Sequence, residues 1–216
     1  MLSKLKKFAT KFATPSEPFD PSIFNDSVAK TISWTPVVSG GSNFKTHKYY
    51  SDGYNRAEFK MSIGAKAFTF LFMLIGVAVP TLILLTADFE GVSDRFFIAG
   101  FGLIFFAAGA FLFYNYGKPV VFDKMKGFYW KGWNKPDHTT DRIAVKNRVP
   151  ISEIYALQLI KEFVRSDKSS YFSYELNLVL KDGTRLNVVD HGKGTILRQD
   201  AQQLSSFLGK PLWDAT

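Results

Sequence analysis

Asp190 and His191 stand side by side at the end of an apolar run, an acid next to a base where a strand end could meet a substrate. Neighbours on a strand point to opposite faces, so the two do not form a simple dyad, and a turn in which Asp190 accepts backbone hydrogen bonds is the expected role. No catalytic residue is assigned on this basis. An enzyme built here would need Asp190, His191, Arg185 and Lys193 to converge in one cleft. The next four residues, Gly192-Lys193-Gly194-Thr195, form a fragment of a phosphate-loop pattern. The first glycine is missing at the required spacing, and Lys193 is not followed by Ser or Thr. A helix-capping loop is therefore expected, with Lys193, Gly194 and Thr195 as the candidate anion-binding group because a helix N-terminus attracts anions. Lys124, Lys126, Lys131 and Lys135 surround the aromatic run GFYWKGW. Placed close to a bilayer, each lysine is worth about 1 kcal/mol against anionic lipid, so Lys124, Lys126 and Lys131 are expected to face lipid. Binding of nucleic acid is not expected. With no cysteine, and with His47, His138 and His191 far apart in sequence, no thiolate chemistry, metal site or cofactor is expected either.

The elements that must carry these residues begin with two apolar segments. Residues 67–87 are 21 positions without a charge, and as a helix they reach about 30 Å, the thickness of a hydrocarbon core. Pro80 is expected to kink that helix. Residues 96–117 form a second uncharged span, between Arg95 and Lys118. Gly102, Gly109 and Tyr116 fall seven apart in it, a thin face for packing against the first span or for association between protomers. Residues 63–117 are thus read as a two-helix transmembrane hairpin with a loop at 88–95.

Charge orients the hairpin. The 66 residues before the first span carry 10 basic and 5 acidic residues, and residues 117–216 carry 16 and 11, so each flank is +5. The loop, with Asp88, Glu90 and Asp94 against Arg95, is −2. The excess of Lys and Arg near the spans places both termini in the cytoplasm, and the net charge of +8 then reflects topology. Residues 1–18 have a basic start without the apolar stretch of a cleavable signal. They are expected to stay on the chain, either as a short amphipathic helix on an anionic membrane surface or as a solvated tail.

Residues 118–216 read as strands closed by a helix. PVVFD and GFYWKGW make a hairpin about KMK, and strands are expected at 143–149 and 154–164. YFSYELNLVL alternates, with Phe172, Tyr174, Leu176, Leu178 and Leu180 on one face, and TRLNVVD returns after KDG with Leu186 and Val188 inward. A helix from about 195 to 208 shows Leu197, Ala201, Leu204 and Leu208 as one stripe, stopped by Gly209 and Pro211. Residues 19–62 are read as a cytoplasmic β-hairpin region: KTISWTPVV and NFKTHKYY about Gly40-Gly41, with RAEFKM as a third short strand.

The run PVVFDKMKGFYWKGW, the strand VPISEIYALQLI and the closing ELNLVLKDGTRLNVVDHG with its terminal helix resemble bacterial membrane proteins that carry a pleckstrin-homology-like domain beside a two-helix hairpin. That resemblance implies a membrane α-helical hairpin plus an α+β, mainly β, cytoplasmic domain, a pleckstrin-homology-like barrel with a C-terminal amphipathic helix at 118–216. It also implies binding or scaffolding at the bacterial inner membrane. The expected partners are the lipid bilayer and a protein partner or further copies of the chain. A regulatory or assembly subunit of a larger membrane complex is the alternative.

Overall fold

The computed structural model describes residues 19–89, 91–133, 148–165 and 170–216. Expectations for residues 1–18, for His138 and Lys135, and for most of the strand at 143–149 lie outside them. Two helices dominate: α2 (Ile63–Thr86) and α3 (Val92–Tyr116). Both are long and apolar enough to cross a membrane, and they begin about four residues before the expected spans. The helix of α2 continues through Pro80. The thin face of α3 is used within this pair. A side chain on Gly76 of α2 would meet the carbonyl oxygen of Gly102 at 2.7 Å, and one on Gly102 would strike Pro80, so the backbones touch only because both positions are glycine.

The remaining described elements are a short α1 (Ser27–Thr31), two single-turn 3-10 helices (Pro21–Phe24 and Ile151–Glu153), nine strands and one further α-helix. The first sheet has the order β1 (His47–Ser51), β2 (Arg56–Met61), β3 (Val120–Asp123), β4 (Phe128–Lys131), β5 (Arg148–Pro150), antiparallel throughout. The second has the order β8 (Arg185–His191), β7 (Ser170–Leu180), β6 (Ile154–Arg165), β9 (Leu212–Ala215). Helix α4 (Gly194–Leu208) packs Leu197, Ala201, Leu204 and Leu208 into one buried cluster with Phe59 and Phe122 of the first sheet and Leu157, Leu176 and Val188 of the second.

Two expectations need correction. The strands fall into two separate sheets among the described residues and do not close into a barrel. The hairpin about Gly40-Gly41 is not formed. Its first half is α1 and a loop, while β1 turns into β2 at Asp52, whose side chain accepts from the amides of Tyr54, Asn55 and Arg56. Asp52 thus supplies locally the bonds that a glycine pair was expected to permit. After α4 the chain adds β9, an edge strand parallel to β6. β2 pairs with β3 from Arg56↔Asp123 to Phe59↔Val120, so residues on either side of the helical pair build one sheet.

Candidate functional site

Residues 33–46 form a strap across the outer face of the second sheet, and polar side chains of that face hold it. Glu175 on β7 accepts from the consecutive amides of Val37 at 2.8 Å and Val38 at 2.9 Å, and from Asn177 Nδ2 at 2.6 Å. Glu162 on β6 does the same for Gly40 at 2.9 Å and Gly41 at 3.3 Å. Gln158 donates to the Ser33 carbonyl, and Arg185 donates to the Thr35 carbonyl and to Gln158 Oε1. Glu175 and Asn177 are 1% and 0% exposed. Strand alternation puts them on the face opposite Leu176 and Leu178, and the strap closes over that face. A readable signal exists: the facing polar positions of β6, β7 and β8 carry both charges and amides, which suits a hydrogen-bonded face better than a solvated one.

Where the strap meets the end of α3 it roofs a cleft of about 460 Å³, walled by Phe44, Tyr116, Tyr171, Lys118, Lys131 and Asp190. Lys131 reaches across from β4 to the irregular stretch of β8. Its ammonium donates to Asn187 Oδ1 at 2.8 Å, to the Val188 carbonyl at 2.9 Å and to the Asn187 carbonyl at 3.3 Å. The β7–β8 register slips between Leu176 and Asn177, which puts both Val188 and Val189 in the interior, where alternation placed only Val188. Asp190 lies opposite Glu175. Burial and then the Glu175 charge push its carboxyl up to about 7, against the pull of Lys131 and the hydrogen bond from Asn187. Burial also lowers the Lys131 ammonium.

Two neutral imidazoles complete the surroundings. Thr46 Oγ1 donates to the Asp190 carbonyl at 2.6 Å, so His47 Nδ1, 2.9 Å from the same oxygen, must be the protonated nitrogen. His191 Nδ1 accepts from the Lys193 amide at 3.1 Å, which leaves the proton on Nε2, where it has no partner among the described residues. Burial, foremost, holds both rings down to about 4, with Lys131 next at His47 and Lys45 next at His191.

The named site residues therefore scatter. Asp190 and His191 point to opposite faces, Arg185 lies at the other end of β8 under the strap, and Lys193 is exposed. The four do not converge. At the expected anion site the Lys193 amide is spent on His191, Gly194 is pressed against the Tyr174 ring, and Thr195 lies inside the helix with no side-chain cap at the start of α4. Lys124 and Lys126 sit in the β3–β4 turn, where β3 has carried the chain roughly 10 Å from the end of α3. Lys124 lies 4.3 Å above the Phe207 ring and Lys126 6.0 Å above Trp130. Lys131 returns to the near end but spends its charge inside. The expected lipid-facing trio is therefore two distal lysines and one enclosed lysine. Comparison with protein-family models, with curated proteins and with solved structures gives no match.

Proposed function

We propose that this chain is a scaffold or adaptor of the bacterial inner membrane. In this reading α2 and α3 cross the bilayer, both termini lie in the cytoplasm, and a pleckstrin-homology-like domain is held at the cytoplasmic face for protein or lipid recognition. The observation that carries it is the insertion of the helical pair between β2 and β3, which are neighbours in one sheet. A domain tethered by one linker tumbles; a domain entered and left through adjacent strands keeps one orientation to the membrane. Phe44 reinforces the joint, lying 6.1 Å from Phe68 of α2 and 6.0 Å from Tyr116 of α3. The +5 flanks and the −2 loop set the sidedness.

The chain lacks cysteine, so single cysteines report position without background. Ser93→Cys is expected to react with an impermeant maleimide from the periplasmic side only, and Thr216→Cys from the cytoplasmic side only. Labelling of Thr216→Cys in intact spheroplasts overturns the topology. For recognition, a photo-crosslinking residue at Phe172, half exposed and 5.2 Å from exposed Phe163, is expected to give a discrete protein or lipid adduct in cells. No adduct from this pair counts against a recognition surface on the β6–β7 hairpin.

A further inference from the structure

We infer that the groove beside the start of α2 binds the headgroup and first methylenes of an anionic phospholipid. This rests on the membrane reading above and moves the lipid contact away from the β3–β4 turn. The groove encloses about 800 Å³. Its floor is apolar: Ile63 and Phe68 from the first turns of α2, and Phe44 from the strap, with Gly64 leaving the floor open. Ile63 is 83% exposed and Phe68 43%, a cost in water that disappears if lipid covers them. The rim is cationic, formed by Lys45 and Lys48, with Lys66 one turn along α2. Among the described residues the ion pairs are Arg56 with Glu58 and Asp123, Lys60 with Glu58, Lys181 with Glu153 and Arg198 with Asp214. Lys45, Lys48 and Lys66 belong to none of them.

Position turns this pairing of apolar floor and basic rim into a lipid site. The floor belongs to the helix that enters the bilayer, and Phe44 touches both helices at the end where they meet the domain. The groove is therefore level with headgroups, its floor toward acyl chains and its rim toward phosphate. Ser62 fixes the arrangement: its hydroxyl donates to the Lys45 carbonyl at 2.6 Å and accepts from the Ala65 amide at 3.0 Å, so the lysine-bearing loop moves with the helix. The positive end of the helix points the same way.

The test uses the full chain in mild detergent, with native mass spectrometry counting retained phosphatidylglycerol against phosphatidylcholine. The wild type is expected to retain phosphatidylglycerol preferentially. Lys45→Gln with Lys48→Gln is expected to lose about 25-fold in that preference, two surface lysines at about 1 kcal/mol each. Lys45→Arg with Lys48→Arg should keep it, which separates charge from a folding defect. Lys124→Gln with Lys126→Gln should keep it as well. Free glycerol phosphate at millimolar concentration is expected not to displace the lipid; displacement would make the site a reader of soluble anions and overturn the inference. Equal retention by the wild type and the Lys45→Gln, Lys48→Gln variant would also overturn it, while cysteine labelling that still shows two spans would leave the scaffold reading standing.

Discussion

Glu175 is held in the interior by two backbone amides and one side-chain amide that donate to its two oxygens, in a network that includes Arg185. Replacing it by Gln weakens charge-assisted bonds and turns an amide donor toward an amide. Glu175→Gln is expected to destabilise the protein by about 2 kcal/mol, measured by denaturant unfolding in detergent. The same substitution removes one of the three influences that raise Asp190, the others being burial and the Glu162 charge. The sign at Asp190 follows from its elevated folded value. Between the ordinary carboxylate range and about 7 the unfolded chain is ionised while the folded carboxyl holds its proton, so this residue's contribution falls as pH rises through that window and is level above it. His47 and His191, held down to about 4, act in the opposite sense: their contribution is lost as pH falls from the ordinary histidine range toward 4. Asp190→Asn isolates the carboxyl. The stability of Asp190→Asn relative to wild type is expected to rise with pH between about 4 and 7, by at most about 1.4 kcal/mol per unit, and then to level off. A pH-independent difference would show that Asp190 is ionised throughout.

At the scale of elements, what periodicity could reveal was the part held together locally. The two apolar helices, the β3–β4 hairpin and the buried stripe of α4 each carry their pattern within one contiguous segment, and Gly127 at φ 74 makes the turn that its position in KMKG implies. The α2–α3 packing was open between two uses, and the structure shows the use within the hairpin. Gly102→Leu should force the helices apart, at about 1–3 kcal/mol for overpacking and more if the backbone cannot shift, read as earlier thermal aggregation in detergent. The strap was invisible to pattern because it has no period: its amides are bonded by glutamates more than a hundred residues away. The polar face of β6, β7 and β8 was marked only by its mixture of charges and amides, since burial of Glu175 depends on what crosses it. In β9, four residues are too few to signal a strand, and its pairing with β6 depends on where α4 delivers the chain.

At the scale of the whole molecule, the decisive contact is β2 against β3, made by residues separated in sequence by the entire helical pair. Residues 118–216 read alone as a self-sufficient β domain, but β3 then lacks its partner. The buried Tyr49, Ala57 and Phe59 are missing from the cluster that includes Phe122, Tyr129 and Leu204. One missing core Phe costs about 3–5 kcal/mol, and two missing strands exceed the roughly 5–15 kcal/mol that stabilises an ordinary domain. Residues 118–216 by themselves are therefore expected to be aggregated or molten by gel filtration and circular dichroism. The topology also supplies the remedy. Antiparallel neighbours can be joined by a short turn, and the end of β2 at Met61 lies beside the start of β3, because Phe59 is opposite Val120. A chain in which residues 63–117 are replaced by a four-residue Asn-Gly turn should fold as a water-soluble, mostly β protein with cooperative unfolding. In that chain Leu204→Asp, which puts a charge into a side-chain position 0% exposed, should abolish the transition by costing several kcal/mol. If residues 118–216 alone unfold cooperatively with the same midpoint as the rejoined chain, β1 and β2 contribute nothing to the core, and the helical pair is an appendage to the domain.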